Sequence, residues 1–288
     1  FRDLLGTASS NVGGSSSRKS NVAKVAEYID GTILNPGETF SYNNVVGERT
    51  TARGFQEAPS YVSGETVNTV GGGVCQGSST VYLAALRANM EIVERHSHSF
   101  LCSYMPYGQD ATVSWGTLDF QFRNDTDYPV KIRMSYADSK LTVSIYGTNL
   151  TGNYVEITNQ VNSTTSYSTV YEETTELAAG VKQTKTTGYN GMSVTVYRNI
   201  YDKDGNLLST TVENNSTYKV RNQVILVGVS KASTENPTTS TSPSPSPSTE
   251  PSASPSESPA ASESPAQSEA PAPESPSTEG EAAAAQEE

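Results

Sequence analysis

Cys75 follows three consecutive glycines at 71–73 and stands just before a run, 79–89, whose apolar residues recur at helical spacing. This puts a thiol at the start of a helix, where open N–H groups carry partial positive charge and favour thiolate over thiol. Glycines before it let backbone approach a bound group with no side chain in the way. The 2 histidines of the chain, His96 and His98, lie downstream in Arg95-His96-Ser97-His98-Ser99. In an extended segment this alternation turns both rings to one face. A thiol that can be activated beside two clustered imidazoles suggests a cysteine nucleophile with a histidine base. His98 is the preferred base and His96 the second candidate. Asp110, in Gly-Gln-Asp-Ala-Thr-Val, is the expected orienting carboxylate, with Asp119 as the alternative. Backbone N–H groups from Gly73 to Gln76, or the Gln76 amide, are candidates to hold an oxyanion. Ser78 and Ser79 read as helix-entry hydroxyls with a role toward substrate, and the Arg95 guanidinium could fork a substrate carboxylate. Plainer readings stand beside these: a small buried cysteine, turn-capping aspartates and a surface ion-pairing arginine.

Other chemistries fit less well. Cys75, His96, His98 and Asp110 lack the paired spacings of a zinc site, so no metal is expected. The glycine run is not followed by Gly-Lys-Ser/Thr, so no nucleotide or other cofactor is expected. The net charge of -12 argues against nucleic acid as a partner. Two cysteines are too few for a disulfide framework, and a nucleophilic Cys75 must stay free of Cys102, which reads as inert packing.

Positioning these residues requires a fold, and the pattern is α+β. Residues 21–30 read as a helix with Val22, Val25, Ala26 and Ile29 on one face. A turn at 35–38 leads to a short strand at 39–42. Strands are expected at 91–95, 100–104, 117–123, 128–135 and 140–146, separated by Asn/Asp turns. This gives an N-terminal domain of mixed helix and antiparallel sheet over 1–150. Residues 157–230 read as a slender all-β domain, with strands at 167–173, 180–188, 192–201, 209–212 and 224–229. A Lys203-Asp204-Gly205-Asn206 hairpin turn lies inside it. Residues 231–288 hold ten glutamates, one lysine and eleven of the 15 prolines. They lack the apolar side chains that offset chain entropy and are expected to be a disordered, partly extended tail. No apolar run is long enough to cross a bilayer. Phe1 reads as a cut point, with an export signal or membrane anchor expected upstream.

Ordered motifs then carry a resemblance. Leu4-Leu5-Gly6, Arg18 with Asn21, the run from Asn35 to Ser41, Gly54-Phe55, GGGVCQGSST, ERHSHS, GQDATV, Asp119-Phe120 and Tyr128-Pro129 together resemble the VanW family. Gly188, Gly191, Gly205, Tyr218 and Gly228, with the strand pattern around them, resemble a G5 domain. The first resemblance implies bacterial envelope work and L,D-transpeptidase-like chemistry on peptidoglycan stem peptides. The second implies binding to polymers containing N-acetylglucosamine. Together they imply an extracellular or cell-wall protein of a Gram-positive bacterium, with peptidoglycan as its partner. The alternative is a noncatalytic wall-binding or surface-assembly protein.

Overall fold

A computed structural model describes residues 1–62 and 65–230. The expected tail at 231–288 lies outside the described residues. In chain order the first part runs β1 (Asp3–Asn11), α1 (Ser16–Ile29), β2 (Ile33–Leu34), β3 (Thr39–Ser41), α2 (Tyr42–Val46), β4 (Glu57–Val62), β5 (Glu65–Val70), α3 (Val74–Arg87), β6 (Glu91–Glu94), β7 (Gln121–Arg123), β8 (Val130–Ala137) and β9 (Lys140–Gly147). The second part is all strand: β10 (Tyr154–Thr165), β11 (Thr169–Thr174), β12 (Lys182–Thr186), β13 (Gly191–Tyr201), β14 (Leu207–Tyr218) and β15 (Gln223–Gly228). Few helices among many antiparallel strands, followed by an all-β part, is the α+β arrangement expected from sequence.

Helix α1 begins five residues before the expected start, because the Ser15 hydroxyl caps it by accepting from the Arg18 N–H at 3.3 Å. Its buried stripe is Asn21, Val22, Val25, Ala26 and Ile29, at the spacing of one helical face. Helix α3 is buried nearly all round, which marks it as the centre of the domain rather than a surface helix. It packs on α1 and on a four-stranded sheet of order β1-β9-β8-β2. Phe40, Tyr82, Phe120 and Phe122 complete this core, with stacked and edge-on ring contacts among them. A second sheet, β3-β7-β6, carries the segment that leads from α3 to the histidines.

Strand β1 was not evident from sequence, because its inward residues are small: Gly6, Ala8 and Ser10. The reason is the closeness of α3. A methyl group at Gly6 would sit 2.3 Å from the Ala88 nitrogen and 2.7 Å from the Ala84 carbonyl oxygen. These are backbone atoms, which cannot swing aside. Gly6→Ala is therefore expected to destabilise the protein by about 3 kcal/mol, the upper range for overpacking. A urea midpoint equal to that of wild type would refute the close packing.

The second part is thin, as expected. It holds two three-stranded sheets, β10-β13-β14 and β11-β15-β12, in which β11 runs parallel to β15 and the other pairs are antiparallel. Only Val194, Val196 and Tyr218 form its buried apolar cluster, with Leu101, Ile157 and Met192 packed against them. Leu101 comes from the first part, so this small core is shared. The strand expected at 100–104 is absent. That apolar run packs in opposite directions instead: Leu101 joins the second cluster, while Cys102 and Tyr104 pack on the first. No helix among the described residues is long and apolar enough to cross a membrane.

Candidate active site

The turn from β5 into α3 is made by Gly71–Gly73. Gly73 is the helix N-cap at φ 103°, a left-handed conformation that favours glycine, and it offers no side chain to cap the helix. Cys75 is the second helical residue and is half-buried. The Val74 N–H donates to the Gly71 carbonyl and the Gln76 N–H to the Gly73 carbonyl. Among the described residues no acceptor takes the N–H of Cys75 itself. That donor lies within one residue of the sulfur, at the positive end of the helix.

The Cys75 sulfur lies 3.6 Å from Thr112 Oγ1 and 3.5 Å from the Val113 carbonyl oxygen. The charge of the His98 imidazole also acts on it. His98 Nδ1 is 2.6 Å from Asp110 Oδ2, and the Tyr104 hydroxyl is 3.3 Å from Nε2. Asp110 is 1% exposed and satisfied on both oxygens. Oδ2 also accepts the His98 backbone N–H at 2.8 Å, and Oδ1 accepts from Arg95 Nη2 at 3.3 Å and from the Tyr218 hydroxyl. With Nδ1–H donating to the carboxylate, Nε2 is the nitrogen left to the Tyr104 hydroxyl and to exchange of a proton with the thiol.

The electrostatics follow from these contacts. Burial alone pushes the Cys75 thiol up, but His98, Val113 and Thr112 outweigh it and lower the pKa to about 7. Burial alone lowers His98, but Asp110 and Cys75 outweigh it and raise it to about 9. Asp110 is held down at about 2 despite burial, by His98 and Arg95. Each charged form thus favours the other, thiolate with imidazolium. Cys102 is the opposite case: burial and the nearby Asp110 push it up to about 12. Both cysteines are free. Iodoacetamide should therefore alkylate Cys75 with a rate that rises through about pH 7, while Cys102 stays unreactive to at least pH 10. Peptide mapping across pH checks this, and equal labelling of the two thiols would count against the assignment. In His98→Ala the Cys75 midpoint is expected to rise above that of an ordinary thiol, since burial would then act largely unopposed.

The other residues singled out from sequence sit differently. His96 pairs with Glu94 at 3.0 Å, while the Asp110 carboxylate takes His98. Gln76 is 1% exposed, and its amide is taken by Ser10, Asn11 and Arg18, so it is not free to hold an oxyanion. Ser78 and Ser79 are fully buried and donate to the Ala111 carbonyl, tying α3 to the Asp110 segment rather than facing a substrate. Arg95 is not on a substrate surface either. It donates to the Asp110 carbonyl at 2.7 Å, to Gly108 and to Ser216, and stacks over Tyr82. Asp119 caps α2 through Ser41 and the Asn43 N–H and lies outside the cluster. Tyr104, Thr112 and Tyr218 were not expected in these roles. Thr112 was the accessible one, two residues beyond Asp110 in a motif already noted.

His98, Cys102 and Asp110 bring ligand atoms within 4.8 Å of one another, the spacing of a three-ligand metal site. The donor set suits a metal poorly. The acceptor positions of Asp110 are filled by four donors, and Cys102 is held as a neutral thiol.

The fold and this cluster define a two-part protein: an α+β domain bearing a Cys–His–Asp constellation, and an all-β module docked beside it. Residues 17–146 match the family described as VanW like protein, and residues 156–230 match the G5 domain family, so the chain carries a VanW domain followed by a G5 domain. It is 43% identical over 134 residues to the Bacillus subtilis (strain 168) "Uncharacterized protein YoaR", covering 46% of this chain and 44% of that protein. It is 28% identical over 131 residues to the Enterococcus faecalis "Vancomycin B-type resistance protein VanW", covering 44% and 48% respectively. The chain thus spans less than half the length of these curated relatives. A solved "IgA1 Protease G5 domain structure" aligns with 29% of this chain and all of that one, at 16% identity and a TM-score of 0.19. A VanW domain joined to a G5 domain suggests a cell-wall-associated protein and fits an extracellular location. G5 domains are associated with binding to cell-surface glycans.

Proposed function

We propose that the VanW domain is a cysteine acyltransferase acting on peptidoglycan stem peptides, in the manner of an L,D-transpeptidase, while the G5 domain holds the protein to wall glycan. The observation that carries this reading is the buried Asp110 carboxylate bonded to the His98 imidazole, together with a free, half-buried thiol at a helix start whose pKa the charge of that ring lowers. In the first step the Cys75 thiolate attacks the carbonyl carbon of the bond between an L-centre and a terminal D-residue. The oxyanion that develops is met by the open N–H of Cys75. The His98 imidazolium gives its proton to the departing amine, the C–N bond breaks, and a thioester to Cys75 remains. An amine from a second stem peptide, deprotonated by His98, then attacks the thioester. The new amide forms and the thiolate is restored. Asp110 keeps Nδ1 protonated through both steps.

The test is direct. Protein mixed with a tetrapeptide donor and no acceptor is expected to gain the mass of the acyl group on Cys75, removable by hydroxylamine. Added acceptor amine should discharge it as a cross-linked dimer. Absence of any adduct on wild-type protein, together with unchanged muropeptides, would leave the noncatalytic wall-binding reading in its place.

A further inference from the structure

Strand β14 belongs to the G5 domain, yet its inner face ends in the VanW site. Asn214, Ser216 and Tyr218 alternate along the strand and so project to one side. Asn214 and Tyr218 reach the segment that carries Asp110, and Ser216 reaches Arg95, which bonds to that segment. Asn214 Nδ2 donates to the Gly108 carbonyl at 3.2 Å and to the Tyr82 hydroxyl at 2.9 Å. Ser216 Oγ accepts from Arg95 Nη1 at 2.8 Å. The Tyr218 hydroxyl accepts the Gly108 N–H at 2.8 Å and donates to Asp110 Oδ1. Immediately beyond, the Lys219 N–H donates to the Ser99 carbonyl at 2.7 Å, one residue from His98. Tyr218 is 3% exposed, so its hydroxyl has no access to water as a substitute partner.

We propose that Tyr218 is a positioning residue of the VanW site, supplied by the G5 domain, whose hydroxyl sets the strength with which Asp110 holds the His98 proton. This rests on the Cys75–His98–Asp110 reading above. The physical logic is competition for one carboxylate. A donor on Oδ1 draws charge from Asp110 and weakens its hold on the imidazolium through Oδ2. His98 then releases its proton more readily to a leaving amine. The G5 domain on this reading is more than a tether, because the site lacks one of its four carboxylate donors without it. Tyr218 remains a donor throughout, since burial and Asp110 raise its hydroxyl pKa.

Tyr218→Phe in the full chain removes the hydroxyl and keeps the ring in its cluster. Loss of the donor should make Asp110 the stronger acceptor and stabilise the imidazolium. Two readouts follow. The pH midpoint of Cys75 alkylation should move down by about half a unit, and kcat for acyl transfer should fall about tenfold with KM unchanged, the scale of one hydrogen bond to a charged group. Site-specific 3-fluorotyrosine at position 218, a stronger donor with the same shape, should move the alkylation midpoint up instead. It also serves if Tyr218→Phe does not fold. Tyr197→Phe, which removes an exposed hydroxyl bonded to Gln160 in the same domain, should match wild type. A folded Tyr218→Phe protein with an unshifted or raised midpoint overturns the proposal, as does a fluorotyrosine protein that titrates like wild type. Alkylation needs no substrate, so this outcome is separable from failure of the acyltransferase reading, in which wild-type Cys75 itself would form no adduct.

Discussion

Replacing Cys75 by alanine is expected to reduce acyl transfer about 10⁴-fold or more, the scale seen when a nucleophile is removed from a unit that acts together. Transfer through a thioester has no second route once the sulfur is gone. The change should leave the fold in place. Cys75 is half-buried at the first turn of α3, its hydrogen-bond contacts to Thr112 and Val113 are long, and alanine is a strong helix former. Circular dichroism and the urea midpoint should therefore stay near wild type while dimer formation from stem peptides disappears. Unchanged dimer formation would remove Cys75 from the chemistry. An unfolded variant would show instead that the residue is structural.

Asp110→Ala is expected to damage both stability and thiol reactivity. The carboxylate accepts from Arg95, Tyr218 and two groups of His98, and both Arg95 and Tyr218 are buried. Alanine leaves a buried guanidinium without its counter-charge, which costs about 3–5 kcal/mol near neutral pH. The pH dependence has a definite sign. The folded pKa of Asp110 is depressed, so its contribution is present above the ordinary carboxylate value and fades as pH falls toward about 2. The folded pKa of His98 is raised, so its contribution is full below the ordinary imidazole value and fades as pH rises through about 9. The stability gap between wild type and Asp110→Ala should thus be widest from roughly pH 4 to pH 6.5 and narrow on both sides. Denaturant titrations across pH measure it. The Cys75 alkylation midpoint should rise in the same variant, since His98 loses the partner that keeps it charged. A gap constant across pH would show that Asp110 acts through packing alone.

Much of the site was legible because its residue types are scarce. With two cysteines and two histidines in the chain, few pairings could be drawn. The choice between Asp110 and Asp119 was not legible. Both stand beside apolar residues in similar local sequence, and only tertiary placement sends one to His98 and the other to the start of α2. Gln76 misled for a related reason. A glutamine beside the nucleophile looks like an oxyanion donor, but burial against Ser10 and Arg18 uses its amide as cement between β1 and α3. Tyr218 was out of reach altogether, since its partner Asp110 is 108 residues away and in another family's domain. In the fold, strong helical periodicity revealed α1 and α3, whereas β1 and β10 were missed in whole or part. The first buries small residues under a helix, and the second is exposed along most of both faces, so neither shows the alternation that betrays a strand.

His98 and Asp110 stand on one irregular loop, and the Thr112 N–H closes that loop on the His96 carbonyl at 2.8 Å. The ring and the carboxylate therefore share one segment, and the Ser78 and Ser79 hydroxyls on the Ala111 carbonyl fasten that segment to the helix that carries the sulfur. Sulfur, ring and acid are thus set in register through one helix, and a change that loosens Ser78 or Ser79 would reach all three at once.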